Sequence, residues 1–256
     1  MFRVIRDYLQ YRRQSVNQYG LHSPFMYRFY LDVVRNRKKG KVQEIENLRK
    51  QLKKNKTIIE VTDLGAGSRR NSTNKRKIAD IVKHASVSEK QGRILRRIVD
   101  VYALENILEL GTSLGLGTAY LSGQSSNVKV TTIEGCPETA KIAQNNFEQL
   151  SIQNVVQKVG AFDEVLTHLD GVTFDLIYMD GNHRLAPTLK YFEWAVEHLS
   201  EEGFIILDDI NWSKEMIEAW ERIKADKRLN VSMDLFRFGI LSKREGQRKQ
   251  NFVLKY

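Results

Sequence analysis

The sequence has one cysteine, Cys136, and three prolines in 256 residues. A single thiol excludes an intrachain disulfide and any zinc site built from several cysteines, so Cys136 reads first as a small apolar filler. No apolar stretch approaches the roughly 20 residues of a membrane helix, and no membrane partner is expected. The opening MFRVIRDYLQYRRQSVNQYG threads arginines through its apolar positions and lacks both a secretory apolar core and a small-residue cleavage site. The expected location is cytoplasmic. Also missing are a G-x-x-x-x-G-K-S/T loop to grip a triphosphate and a basic run interleaved with aromatics to stack single-stranded nucleic acid.

What the chain has is a formal charge of +10, from 41 Lys and Arg against 31 Asp and Glu. The surplus gathers in RNRKKGKVQ (35–43), RKQLKKNK (49–56), RRNSTNKRK (69–77) and SKREGQRKQ (242–250). Such a field attracts nucleic acid, anionic lipid or an acidic metabolite. Without aromatics among the charges it reads first as a solvated surface, which leaves nucleic acid a rival partner and not the favoured one.

The length suits one α/β core with an accessory region. Residues 1–87 read as a helical extension. Ser23 and Pro24 begin a helix as cap and first residue, and Ile45, Leu48 and Leu52 lay a thin apolar stripe along a mostly solvated helix over 41–56. A glycine-rich loop at 63–70 follows, then a short helix near 77–84 with no second strand before it. Residues 88–256 are regular. Ser88 and Gln91 form a capping box, after which short apolar strands (NILEL, VKVTTIE, NVVQKV, FDLIYMD, GFIILDD) alternate with amphipathic helices. Apolar strands without alternation are covered on both faces, which predicts an open, mostly parallel sheet. The runs 231–241 and 250–256 leave no room for a crossover helix and are expected as two strands paired antiparallel at one edge.

Two segments, NILELGTSLGLGTAYLS (106–122) and IIEVTDLGAGSRRNS (58–72), each run from apolar residues through an acid into a glycine turn. Only the first has a strand, a turn and a helix in immediate succession, with Glu134 closing a second strand where a carboxylate can accept hydrogen bonds from ribose hydroxyls. The second, with Asp63, Gly65 and Gly67, is expected to shape a surface loop that could lean over the pocket. The first loop has Ser113 where a dinucleotide fingerprint has its second glycine, or, read from Gly115, Tyr120 in place of the third. Glu109 adds negative charge where a pyrophosphate would sit. A cofactor with a ribose and a positive centre fits better.

These residues closely resemble the class I S-adenosylmethionine-dependent methyltransferases, with LELGTSLGLGT (108–118) as motif I and IEG (133–135) as the acid closing strand two. The resemblance implies a Rossmann-like α/β fold: a seven-stranded, mostly parallel sheet with an antiparallel C-terminal strand pair, here preceded by the N-terminal helical extension. It implies that Glu109, Gly111, Thr112, Ser113 and Gly115 lie along the cofactor's amino-acid portion and that Glu134, followed by Gly135, binds both ribose hydroxyls. It also implies that Cys136 and Phe162 flank the adenine, with Ala161 where many relatives have Asp.

Two acidic turns, YMDGNH (178–183) and LDDINW (207–212), end later strands. Asp180, Asp208 and Asp209 at one depth would repel unless one is protonated or a cation neutralises them, and magnesium, manganese or calcium suits oxygen ligands. The arrangement is similar to that of the catechol and caffeoyl-coenzyme A type O-methyltransferases. On that likeness Asp180 and Asp208 match metal ligands, Asp209 stands where an Asn is expected, and His183 stands where a lysine base is expected. A metal-bound hydroxyl would lose its proton to His183. In the alternative, Asp180 mainly fixes the cofactor and His183 caps the helix after it. The extra charge of Asp209 leaves weaker catalysis, a protonated carboxylate and no metal all open.

The expected activity is O-methylation of a small hydroxylated acceptor, anionic if Arg69 and Arg70 face the pocket. Methylation of RNA or protein and a silent cofactor-binding scaffold are the rivals. Residues 1–87 are expected to close over the acceptor, with His22, Ser23, Tyr27, Ser68 and Arg69 as candidates, or to supply a homodimer surface. Trp212 would either wall the acceptor pocket or simply pack.

Overall fold

The computed structural model describes residues 2–36, 42–62 and 74–256. They fall into two compact units, Met1–Arg37 with Thr173–Tyr256, and Lys38–Val172. Residues 2–36 and 42–87 therefore belong to different units. The chain opens with helices α1 (Phe2–Gln14) and α2 (Pro24–Phe29). Ser23 Oγ accepts the Met26 amide at 3.4 Å and Pro24 takes the first helical position, and α2 widens into one looser turn, Tyr30–Val34.

The unit Lys38–Val172 begins with α3 (Gln43–Leu52), strands β1 (Ile58–Glu60) and β2 (Lys75–Lys77), and α4 (Ile78–His84). Residues 75–77, where no second strand was expected, pair antiparallel with β1, placing Glu60 opposite Lys75. A mostly solvated two-stranded ribbon needs no apolar pattern, and opposite charges across it favour the pairing. Next come α5 (Glu89–Val101), β3 (Asn106–Leu110), α6 (Leu116–Leu121), β4 (Lys129–Glu134), α7 (Pro137–Gln149), β5 (Val155–Val159) and α8 (Phe162–Leu166). The Ser88–Gln91 capping box is present. β3, β4 and β5 pair in parallel in that order. β3 is buried from Ile107 to Leu110, whereas outer β5 leaves Val156 and Val159 more than half exposed, so a continuous apolar run did not guarantee cover on both faces.

The α3 helix is less solvated than its charges imply, because Glu46 and Arg49 are both buried. Arg49 Nε donates to both Glu46 oxygens at 3.0 and 3.2 Å, Arg49 Nη1 donates to Val87 O at 2.6 Å, and the Tyr120 hydroxyl donates to Glu46. Tyr120 sits on α6 against Gly92, where a Cβ would lie 2.2 Å from its ring. Burial, and then the Glu46 carboxylate, push the Tyr120 hydroxyl well above its ordinary pKa, so it stays a donor.

The other unit continues with β6 (Phe174–Met179), α9 (Leu185–Glu197), β7 (Leu199–Leu207), α10 (Lys214–Ala225), β8 (Val231–Asp234), β9 (Gly239–Ser242) and β10 (Gln250–Val253). Its strand order is β10-β8-β9-β7-β6. β6 and β7 run parallel, and β9 is antiparallel to both β7 and β8. The expected edge pair is thereby corrected. The run 231–241 folds into both members of the antiparallel pair, and 250–253 joins β8 in parallel. The Asp234 carboxylate accepts the Phe236 amide at 2.6 Å and Leu235 N donates to Phe238 O at 2.9 Å, an Asx-type turn that reverses the chain after four residues. The β1–β2 ribbon aside, β3–β5 and β6–β10 make eight strands, one more than the seven expected. The N-terminal segment packs on the last strand and the residues after it: the Tyr11 hydroxyl donates to Leu254 O at 2.5 Å, the Tyr30 hydroxyl to Lys255 O at 2.9 Å, and Val16 N to Val253 O at 2.8 Å. No helix among the described residues is long and apolar enough to cross a membrane.

Removing one partner from a buried ion pair costs more than replacing the whole set with apolar residues. Arg49→Met alone should therefore lower stability by about 3–5 kcal/mol in urea unfolding, because Glu46 keeps a buried charge. The triple variant Glu46→Leu, Arg49→Met, Tyr120→Phe should lose less. A triple variant no more stable than the single one would contradict this account of α3 docking.

Candidate functional site

After β3 the chain turns through 111–115 with three residues in the left-handed region: Gly111 at φ 106°, Ser113 at 49° and Gly115 at 78°. Gly111 N and Thr112 N both donate to Ile133 O, at 3.0 and 3.2 Å, tying the turn to the end of β4. Only glycine suits position 115, where a Cβ would also stand 2.6 Å from the Phe147 ring. Asn146 Nδ2 donates to Leu114 O at 2.8 Å and holds the outer side of the turn against α7.

Glu134 ends β4 and is fixed by two backbone donors. Ser113 N donates to its Oε2 at 2.7 Å and Cys136 N to its Oε1 at 2.9 Å. A carboxylate has about four lone-pair positions, so each oxygen retains capacity for another donor. Glu109 behaves differently. It is fully buried, and its Oε2 accepts Thr118 Oγ1 at 2.5 Å and Thr132 Oγ1 at 2.6 Å, with Thr112 Oγ1 a further 2.6 Å from Thr132 Oγ1. Burial pushes the Glu109 carboxyl up to about 7 against the two hydroxyl bonds, and the Glu134 charge adds to the rise. Glu109 thus ties β3 to α6 and β4 from within.

Cys136 is buried and caps α7; its Sγ accepts Thr62 N at 3.3 Å and lies 3.7 Å from Glu60 O. The end of β1 is in this way brought beside the residue that follows Gly135. Ala161 is the cap of α8 and Phe162 its first residue, and the preceding Gly160 donates its amide to Glu134 O at 3.0 Å. Gly111, Thr112, Ser113, Gly115, Glu134, Gly135, Cys136, Ala161 and Phe162 therefore share the carboxyl ends of β3, β4 and β5. Asp63, Gly65, Gly67, Ser68, Arg69 and Arg70, with the rest of the 63–70 loop, lie outside the described residues.

The acidic turns belong to the other unit. Met179 and Leu207 are register partners, so Asp180 and Asp208 follow their strands at one depth, and Asp208 N donates to Met179 O at 3.0 Å. Asp208 is buried; its Oδ1 accepts the Asp209 amide at 2.7 Å and its Oδ2 the Tyr178 hydroxyl at 3.1 Å. Burial, then the charge of Asp209, push Asp208 up to about 7, while Arg237 pulls it back. Asp209 has φ 52° and accepts both Arg237 Nε, at 3.1 Å, and Nη2, at 2.5 Å, on Oδ1. Burial lowers the Arg237 pKa, but the charges of Asp209, Asp208 and Asp180 outweigh it and hold the guanidinium firmly protonated.

Among the described residues no three His, Cys, Asp or Glu side chains are gathered closely enough to hold a metal ion. The set Asp180, Asp208 and Asp209 does not fit one, because Asp209 is already engaged and neutralised by Arg237. His183 Nε2 is 3.7 Å from Asp180 Oδ1, an ion-pair distance and not a hydrogen bond. It does not cap α9, whose Leu185 amide donates to Glu215 Oε2 at 2.9 Å. Ser23 serves as cap and accepts Gln247 Nε2 at 3.1 Å, Tyr27 is exposed, and Trp212 is 42% exposed with its carbonyl bonded to Arg3. The sequence reading missed Arg237, which lies 28 residues beyond Asp209 in a hairpin turn. It missed Tyr178 and the threonines around Glu109 as well. Thr132 at least stands two residues before Glu134 on the same strand, a spacing that marks a shared face.

Residues 108–210 match a family model described as a methyltransferase domain. A catechol O-methyltransferase from Niastella koreensis is 33% identical over 129 residues, 48% of this chain and 57% of the relative. A catechol O-methyltransferase from Mycobacterium tuberculosis is 28% identical over 127 residues, 49% and 57% of the respective chains. The crystal structure of an O-methyltransferase from Bacillus cereus in complex with SAH superposes with a TM-score of 0.56 and 26% identity, covering 62% of this chain and 84% of that one. Over this region the chain is similar to the class I S-adenosylmethionine-dependent methyltransferases related to catechol O-methyltransferase. Its fold is the Rossmann-like one of that class, with a mixed, mostly parallel central sheet and N-terminal helices. The chain spans 57% of the length of each of the two curated relatives. The matched region begins inside β3, at the acid and glycine turn described above, and ends just past Asp208 and Asp209.

The folded domain keeps a proton on Glu109 up to about pH 7, whereas an unfolded chain releases it near pH ~4.3. Stability should therefore fall as pH rises between those values and be unaffected by this group above them. Glu109→Gln accepts the same two hydroxyls without titrating, so between pH ~4 and ~7.5 it should gain up to roughly 3 kcal/mol on the wild type in urea unfolding. Parallel stability curves would contradict the assignment.

Proposed function

We propose that the chain is an S-adenosylmethionine-dependent methyltransferase that acts on a hydroxyl of a small acceptor. The reading is carried by Glu134, held at the end of β4 by the amides of Ser113 and Cys136 with acceptor capacity left on both oxygens. The residues around it fit the cofactor: a carboxylate for the two ribose hydroxyls, a turn without Cβ atoms at Gly111 and Gly115 for the amino-acid portion, and Cys136, Ala161 and Phe162 about the adenine. Ala161 offers no side-chain acceptor for the adenine amino group, so that contact falls to backbone. The bound cofactor supplies a methyl group made electrophilic by its sulfonium.

An acceptor hydroxyl becomes a competent nucleophile on losing its proton, and His183 is the group assigned to receive it. Asp180, 3.7 Å from the imidazole, favours the charged ring that results. No step is assigned to a divalent ion, because Arg237 already engages Asp209. The formal charge of +10 favours an anionic acceptor. Sugars, phenols and catechols carrying carboxylate or phosphate are the first class to test, in a cytoplasmic setting.

Calorimetry with S-adenosylhomocysteine should show binding to the wild type and, after Glu134→Ala, affinity lower by roughly tenfold or more, the worth of one or two charged hydrogen bonds. With radiolabelled donor, label should pass to hydroxylated small molecules in a panel that includes RNA, and His183→Gln should slow transfer by roughly a hundredfold. Wild-type affinity in Glu134→Ala, or label found in RNA alone, would overturn the proposal.

A further inference from the structure

Carboxylates that crowd a strand end repel one another unless a positive charge lies among them. At the 208–212 turn that charge is supplied by the protein. Arg237 is carried on the hairpin between β8 and β9, and the hairpin is fixed from several sides. Ile210 N donates to Arg237 O at 3.2 Å and Asn211 Nδ2 donates to Phe236 O at 2.6 Å. Phe236, at φ 69°, packs against Tyr8 and Tyr11 of α1 with ring centroids 5.1 and 5.3 Å away. A non-glycine residue in that region persists only where its surroundings over-determine it, so the position of Arg237 is set before any ligand arrives.

The carboxylates are committed as well. Asp208 accepts a backbone amide on one oxygen and a tyrosine hydroxyl on the other, and Asp209 accepts two guanidinium donors on Oδ1. A divalent ion of magnesium or manganese type needs several oxygens aimed at one point, and this pair does not offer them. Both Arg237 bonds use Nε and Nη2. Nη1 takes part in neither, and the side chain is 53% exposed.

Resting on the methyltransferase reading, we propose that Arg237 fills at this turn the counter-charge role of a divalent cation: it excludes metal from Asp208 and Asp209, and its Nη1 anchors an oxygen of the acceptor. A guanidinium stays charged at every working pH and presents donors in a fixed plane, which suits a hydroxylate or carboxylate oxygen. It is a weaker acid catalyst than a metal, so proton removal is left to the imidazole and methyl transfer proceeds without divalent ions.

The test is a titration of the full chain with Mn²⁺ alone, followed by electron paramagnetic resonance. The wild type should leave Mn²⁺ free at concentrations up to about 1 mM, whereas Arg237→Gln should bind it at least about tenfold more tightly, as expected on deleting a unit positive charge within ~4 Å of the carboxylates. Arg237→Lys keeps the charge and should resemble the wild type. Sub-millimolar Mn²⁺ binding by the wild type, or no gain in a folded Arg237→Gln, would overturn the proposal. If circular dichroism shows that Arg237→Gln does not fold, the wild type and Arg237→Lys decide it: Mn²⁺ left free by both supports metal exclusion, and uptake by the wild type refutes it. Methyl transfer by the wild type should also survive exhaustive chelation, and its loss there would count against the proposal. Absence of S-adenosylhomocysteine binding would instead strike the methyltransferase reading and leave the Mn²⁺ result standing.

Discussion

The candidate cofactor site depends on one carboxylate held by two backbone amides. Glu134 accepts Ser113 N and Cys136 N, and each donor is where it is for a separate reason. Ser113 reaches the carboxylate because the turn passes through three left-handed residues while Gly111 and Thr112 are tethered to Ile133. Cys136 reaches it because Gly135 and Pro137 end the strand and start α7 within three residues. Lose the turn and Glu134 becomes an ordinary surface acid; lose Glu134 and the turn has nothing to present. The glycines serve this geometry, as Gly115 does by seating the turn against Phe147.

Several poorly solvated carboxylates among the described residues meet the same difficulty, since burying a charge is expensive unless it is paired or neutralised. Glu109 is eased by a pKa pushed up to about 7 and by two threonine hydroxyls. Glu46 is paired with buried Arg49 and so becomes the means of docking α3 on α6. Asp209 is paired with Arg237. Only the last of these lies among residues suited to chemistry, beside a histidine and two further carboxylates, which is why the identity of its partner bears on function. On the proposals above, a permanent organic cation there would leave the proton chemistry to His183 and give the acceptor something to bind other than a metal.

Much of the fold was legible because local patterns wrote it. Ser23 with Pro24, and Ser88 with Gln91, named two helix starts, and Glu134 was legible because strand, glycine turn, helix and second strand follow one another closely. What the sequence concealed involves partners far apart or weakly patterned. The ribbon strand Lys75–Lys77 is three charged residues with no apolar signature. The hairpin inside 231–241 turns on an aspartate and a phenylalanine, without the glycine or asparagine that usually marks a tight reversal. Arg237 meets Asp209 across a hairpin whose placement no periodicity predicts. Three acids read from sequence alone therefore looked like a metal cage, because the cation that answers one of them was out of sight.

The central claim is that the carboxylate closing β4 grips the sugar of a sulfonium nucleoside. A crystal structure of the chain with S-adenosylhomocysteine tests it most directly. The account predicts the two ribose hydroxyls within hydrogen-bond distance of Glu134 Oε1 and Oε2, with the Ser113 and Cys136 amides still in place. A nucleoside bound elsewhere, or bound with its ribose away from Glu134, would contradict it.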